Sequence, residues 1–319
     1  MKKPLIILTG PTAVGKTELS IALAQAVHGA VISADSMQVY RHMDIGSAKI
    51  TQEEMHGVPH YLIDILEPQE EFHVVRFQEL ARQSMEKIYA EGKVPIVVGG
   101  TGFYIQALLY GIDFTEQQED AQYRKELEQV AREQGPEALH QMLGQVDPES
   151  ARCIHENNVK RVVRALEFYH LSGQKISEHN KLERMRESPY RFAYFVLNDD
   201  RERLYGRIDK RVDGMVAEGL VEEVRKLKEM GCHRHMVSMQ GLGYKEILEY
   251  LDKDCSLEEA VYKIKRDTRH FAKRQLTWFR REREVTWVQK PEFGYDNGKM
   301  LAYMQKILEE QKIIPKETL

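Results

Sequence analysis

The chain has 319 residues, of which 42% are hydrophobic and 30% charged, and a formal charge of −4. That composition supplies a core and excludes wholesale disorder, and the length allows two or three domains. The net charge argues against a generally basic nucleic-acid coat. No run approaches the roughly 18 apolar residues of a membrane span. The first nine residues are too short for a secretory leader. Cys153, Cys232 and Cys255 are too scattered for a disulfide framework or a thiolate zinc site. The reading is a cytoplasmic protein.

Residues 5–8 are an apolar run ended by Gly10-Pro11, the pattern of a buried parallel strand. Helical character follows over 18–27, then a second strand over 30–34 that ends at Asp35. An amphipathic helix spans 74–89, and a third strand spans 94–98 before Gly99-Gly100-Thr101-Gly102. Strands alternating with helices predict a doubly wound α/β sheet. Residues 113–120 are polar and acidic, and only helices follow, over 122–134, 136–143 and 148–171. The last of these has Asp147 as N-cap, Pro148 in its first turn and Gly173 past its end. Residues 192–197 return to strand, and helical patterns cover 200–230 and 256–282, the second opened by the capping box Ser256-x-x-Glu259. The organisation is thus an α/β core, 1–113 with 191–319, interrupted by an all-helical insertion at 114–190. Cys232-His233-Arg234-His235 reads as a surface turn, not a metal site.

Gly10-Pro11-Thr12-Ala13-Val14-Gly15-Lys16-Thr17 fits G-x-x-x-x-G-K-[ST] between a strand and a helix. Its glycines let the backbone curl so that N–H groups face an anion. The helix N-terminus adds partial positive charge. Lys16 reaches the outer phosphates and Thr17 offers a hydroxyl to Mg²⁺. A nucleoside triphosphate is the usual guest, yet any diphosphate suits the same donors. Asp35 stands at the carboxyl end of a strand, where ligands bind in open α/β folds, as a general base or a Mg²⁺ partner. Thr101, on the loop after the third strand, reaches the same edge.

Several blocks in one order then carry a resemblance: residues 10–17, Asp35-Ser-Met-Gln-Val-Tyr-Arg41, Met43-Asp-Ile-Gly-Ser-Ala-Lys49, Val98-Gly-Gly-Thr-Gly-Phe-Tyr104, Asn158-Val-Lys-Arg-Val-Val-Arg-Ala-Leu-Glu167, Gln240-Gly-Leu-Gly-Tyr-Lys-Glu246 and Thr268-Arg-His-Phe-Ala-Lys-Arg-Gln-Leu-Thr-Trp278. Over nearly its whole length the chain resembles the bacterial tRNA dimethylallyltransferases, with Ser47 standing where Thr is expected. The resemblance implies a P-loop NTPase-like core and transfer of a dimethylallyl group from dimethylallyl diphosphate to N6 of adenosine 37, beside the anticodon of tRNAs that read codons beginning with U. It implies Asp35 as general base, and Lys16, Thr101 and an arginine, Arg207 or Arg211, on the diphosphate. Residues 10–17 cradle that diphosphate and Thr17 holds Mg²⁺. It also implies tRNA contacts from Asp35, Ser36, Met37, Gln38, Arg124, Lys160, Arg161, Arg164, Gln240, Gly241, Gly243, Tyr244, Lys245, Lys273, Arg274, Gln275 and Trp278. No membrane and no obligate protein partner is implied.

Charge patterning agrees with an RNA partner. Residues 263–283 hold nine Lys/Arg and two acids, a local +7, which leaves −11 for the rest. His270, Phe271, Trp278 and Phe279 interleave with those cations as possible stacking faces, unless they turn into the core. Lys160, Arg161 and Arg164 share a helix surface, and Arg203, Arg207 and Arg211 form one stripe. Two other readings stand beside this one: a P-loop kinase of a small molecule or nucleotide, with the insertion as a lid, and a non-catalytic RNA-binding module.

Overall fold

In a computed structural model the described residues are 2–112 and 120–315. They form two compact units, 1–109 with 189–319, and 110–188. The domain boundary expected at 113/114 lies outside the described residues.

The first unit is built on six parallel strands in the order β3-β2-β4-β1-β5-β6. They are β1 (Lys3–Thr9), β2 (Gly29–Ser33), β3 (His60–Tyr61), β4 (Val94–Gly99), β5 (Tyr190–Asn198) and β6 (Val285–Gln289). Helix α1 (Lys16–Ala26) connects β1 to β2, α2 (Val74–Ala90) connects β3 to β4, and α3 (Gly102–Tyr110) follows β4. After β5 come α9 (Arg201–Ala217), α10 (Leu220–Glu229), α11 (Tyr244–Leu251) and α12 (Leu257–Phe279), and α13 (Asn297–Glu310) follows β6. All five residues of β2 and the last five of β1 are buried. These central strands therefore read as continuous apolar runs, without the alternation of a half-exposed sheet. Leu8, Leu23, Phe195, Leu197 and Ile208 belong to one core cluster.

Parallel pairing aligns the carboxyl ends of the inner strands. Thr9 stands opposite both Gly99 and Val196, and Ser33 opposite Val98. The loops after β1, β2, β4 and β5 therefore open on one edge, the ligand edge of such sheets.

The second unit is helical: α4 (Ala121–Glu133), α5 (Pro136–Val146), α6 (Pro148–Cys153), α7 (Val159–Ser172) and α8 (Ile176–Met185). Its core packs Leu127, Leu139 and Leu143 against Val162, Val163 and Leu166. Asp147 caps α6 by accepting the Ser150 N–H, and it also accepts the Ser177 hydroxyl.

Two sequence expectations are corrected. The single helix over 148–171 is two, α6 and α7, because residues 154–158 leave helical geometry before Asn158 restarts the chain as N-cap. The pattern over 200–230 is likewise α9 and α10, separated at Gly219, which adopts φ 107°. Apolar periodicity continues across both breaks and hides them. Elements beyond the sequence reading are the two-residue edge strand β3, the outer strand β6 and the helices α3, α8, α11 and α13.

Candidate active site

The loop between β1 and α1 carries the phosphate-binding pattern, and its hydrogen bonds restrict which groups can meet an anion. The Thr12 N–H donates to Gln275 Oε1 at 2.8 Å, and the Val14 N–H donates to Pro11 O at 3.4 Å. Pro11 has no N–H. The amides left for a guest are those of Ala13, Gly15, Lys16 and Thr17. Not every residue of 10–17 is therefore a donor: Thr12 and Val14 spend their amides on the loop's own shape. Gly15 is left-handed at φ 95° and opens α1 without a side-chain cap, so the helix N-terminus is open to a ligand.

Four cations converge on this loop. Lys16 donates to Gly10 O at 3.0 Å and Pro11 O at 2.9 Å. Burial lowers its pKa to about 8; nearby Asp35 opposes that shift and Arg211 adds to it. Burial also lowers Arg211, whose neighbours in the field are Asp35 and Arg207. A Cβ placed on Gly15 would lie 3.1 Å from Lys290 Nζ and 3.2 Å from an Arg207 Nη. Lys290 donates to Val14 O at 3.0 Å. Arg207 and Arg211 therefore both belong to the site, Arg207 beside Gly15 and Arg211 in the field of Lys16 and Asp35.

Asp35 lies just past β2. Its Oδ1 accepts the Met37 N–H at 2.8 Å, a local turn that fixes the carboxyl group. The loop after β4 is tied to the same place, since the Thr101 N–H donates to Ala34 O at 3.3 Å. Thr17 is exposed at the start of α1. Among the described residues no group of three His, Cys, Asp or Glu could hold a metal ion. A threonine hydroxyl exposed at that place is of the oxygen-ligand type that Mg²⁺ takes.

Other expected contacts are placed differently. Tyr244 is wholly buried, and its hydroxyl donates to Glu223 Oε1 at 2.8 Å. It does not face a solvent-borne RNA. The same Glu223 carboxylate accepts the N–H groups of Asp44, Ile45 and Gly46 at 2.9, 2.7 and 3.0 Å. Together Glu223 and Tyr244 hold the segment that follows Asp35. Gly241 touches Met37 where any larger residue would clash with its sulfur. The Gly243 N–H is capped by Glu246 Oε2 at 2.8 Å, and Lys245 pairs with Glu246 at 3.3 Å. Gln240 donates to Arg234 O. Gln38 donates to the carbonyls of Ser47 and Ala48 and accepts from Ser33. Ser36 is half-buried on the turn beside it.

Gln275, expected among the tRNA contacts, lies inside the protein. It is 6% exposed, and its amide spans two loops, accepting from Thr12 N and donating to Gly100 O at 2.9 Å. A side chain on Gly100 would collide with that amide. Both ends of the amide therefore hold loops of the protein, which makes Gln275 a tie between the phosphate loop and the loop after β4. Trp278 packs across Gly102 and meets Phe103 edge-on at 6.2 Å, with Phe103 41% exposed.

The +7 segment is partly neutralised in three dimensions. Lys263 pairs with Glu249 of α11, Lys265 with Asp213 and Arg269 with Asp209 of α9, and Arg266 with Asp267. Lys273, Arg274, Arg280 and Arg281 are exposed, with no carboxylate partner among the described residues. The helix ends at Phe279, so Arg280, Arg281 and Arg283 lie on the turn beyond it. In the helical unit Arg124 and Arg164 lie 2.8 and 3.7 Å from the buried carboxylate of Glu167, whereas Lys160 and Arg161 are exposed. Cys232 is buried and the histidines beside it gather no metal set.

A parallel sheet flanked by helices, whose loop edge carries the phosphate-binding pattern with four cations and Asp35 beside it, defines the class: a P-loop-like α/β core. Comparison with known proteins narrows it. The family model IPP transferase matches residues 38–282. A curated tRNA dimethylallyltransferase from Lachnoclostridium phytofermentans is 61% identical over 312 residues, covering 98% of this chain and 99% of its own. The crystal structure of the full-length tRNA isopentenylpyrophosphate transferase of Bacillus halodurans is 45% identical with a TM-score of 0.74, covering 98% of each chain. A eukaryotic dimethylallyltransferase captured acting on tRNA is 29% identical with a TM-score of 0.81, covering 99% of this chain and 81% of its own. The chain belongs to the IPP transferase family and is a prenyltransferase.

Proposed function

We propose that this enzyme transfers a dimethylallyl group from dimethylallyl diphosphate to N6 of adenosine 37 in tRNAs that read codons beginning with U, releasing diphosphate. The observation that carries the reading is the juxtaposition of one carboxylate, Asp35, with the cations of the phosphate loop, Lys16 and Arg211. A base beside an anion cradle suits a displacement in which a weak N–H nucleophile attacks and a diphosphate leaves.

The adenine N6 lone pair is delocalised into the ring. In the proposed step N6 forms a bond to C1 of the dimethylallyl group. The C1–O bond breaks, its electron pair leaves with the diphosphate, and the N6 proton passes to Asp35. Lys16, Arg207, Arg211 and the amides of Ala13, Gly15, Lys16 and Thr17 stabilise the charge that builds on the leaving oxygens, with Thr101 as a further donor. Mg²⁺, with Thr17 as its protein ligand, supplies additional neutralisation of that charge when bound. The base leaves the anticodon-loop stack to reach Asp35. The exposed cations of residues 273–281, together with Lys160 and Arg161, contact RNA phosphates. The names of the relatives above support both the reaction class and the RNA substrate.

The test is transfer to two transcripts of one U-codon tRNA, one with adenosine and one with guanosine at position 37. Label from dimethylallyl diphosphate enters the first and not the second. Equal labelling of both would place the acceptor elsewhere.

A further inference from the structure

Lys290 follows β6 in a short helical turn, where no motif marks it. It is 7% exposed, a rare degree of burial for a lysine. Its Nζ donates to Val14 O at 3.0 Å. Its Nζ sits beside Gly15 together with the Arg207 guanidinium. Burial lowers its pKa and Arg207 lowers it further, while Asp199 and Glu18 oppose.

A trans peptide points its C=O and the following N–H in opposite directions. Fixing the Val14 carbonyl on Lys290 therefore fixes the Gly15 N–H facing away from Lys290. Gly15 is left-handed and lacks the side-chain contacts that would hold this peptide by packing. A free Val14–Gly15 peptide could turn its carbonyl oxygen toward the anion, a repulsive arrangement in a loop whose Thr12 and Val14 amides are already used. Gln275 pins the loop at Thr12 from one side, and Lys290 pins it at Val14 from the other.

We propose that Lys290 is a positioning residue of the diphosphate site, which holds the Val14–Gly15 peptide so that the Gly15 N–H faces the leaving diphosphate. The role rests on the reading that this loop binds diphosphate. It is distinct from the role of Lys16, because Lys290 acts through the backbone.

The experiment compares wild type, Lys290→Met and Lys290→Arg, each as the full chain, with inorganic pyrophosphate and Mg²⁺ as the probe in titration calorimetry. Steady-state KM is measured in parallel for dimethylallyl diphosphate and for tRNA. Lys290→Met is expected to weaken pyrophosphate binding tenfold or more and to raise KM for dimethylallyl diphosphate similarly, with KM for tRNA within twofold. Lys290→Arg, which keeps a charged N–H donor, is expected to recover most of the loss. Melting temperature without ligand identifies any variant that fails to fold, and Lys290→Gln then replaces it. Pyrophosphate binding by the methionine variant within twofold of wild type overturns the proposal. A parallel rise in both KM values overturns it too, since that is the mark of general damage. If wild type itself binds no pyrophosphate, the diphosphate reading of the loop fails first, a separate result.

Discussion

Lys16 carries two opposed demands: it lies half-buried beside Arg211, yet under the proposed function it must be charged to meet a diphosphate. Its lowered pKa of about 8 expresses the first. A bound diphosphate brings negative charge and lifts that pKa again. Below pH 8 the free enzyme already holds the proton; above it, binding must take the proton up. Pyrophosphate binding at pH 8.5, followed calorimetrically in buffers of different ionisation enthalpy, is expected to show net proton uptake, and affinity is expected to fall as pH rises through about 8. No uptake would mean that Lys16 stays charged in the free site. Asp35 gives the second residue-scale prediction. Asp35→Asn keeps an acceptor for the Met37 N–H and removes the base, so kcat should fall by roughly 10²–10⁴ while tRNA affinity stays within twofold. Both residues are legible in the sequence because a motif fixes their surroundings. Lys290, Glu223 and the true partners of Gln275 are not. Each acts on backbone atoms far along the chain, at Val14, at 44–46, and at Thr12 with Gly100, and no local spacing announces such a contact.

At the scale of elements, α12 shows what a charge count omits. Its N-terminal cations face carboxylates of α9 and α11, which the linear sequence places some 14 to 60 residues away. The exposed cations with no carboxylate partner among the described residues are concentrated at residues 273–281, the stretch proposed to meet RNA. Lys273→Gln or Arg281→Gln should each reduce the slope of log K against log salt for tRNA binding by about 0.7–0.9. Arg269→Gln, which breaks a pair with Asp209, should leave that slope unchanged. Equal effects from all three would restore the uniform basic face. The breaks between helices have a similar lesson. Four of the six strands and most helices are readable from apolar period and caps, Asp147, Ser256 and Gly173 among them. The α9–α10 break was not, because Leu220 and Val224 continue the apolar series. Gly219 alone marks it, at φ 107°. Gly219→Ala should destabilise the protein by about 1–2 kcal/mol, read from denaturant midpoints at constant m-value.

For the whole molecule, the formal charge of −4 hides an acidic average and a few unpaired cations. The parallel sheet places Asp35, the phosphate loop and the Thr101 loop on one edge. The doubly wound core was predictable from strand–helix alternation, whereas β6 was not, since its five residues follow directly on a basic turn. What remains to be tested is the guest of the phosphate loop: a prenyl diphosphate whose prenyl group passes to a nucleophile as the diphosphate leaves, and not ATP. It is tested most directly by incubating the protein with labelled dimethylallyl diphosphate, Mg²⁺ and unmodified tRNA, with and without ATP. The expected result is label in the tRNA, one diphosphate released per transfer, and no dependence on ATP. ATP consumption with unlabelled tRNA would contradict it.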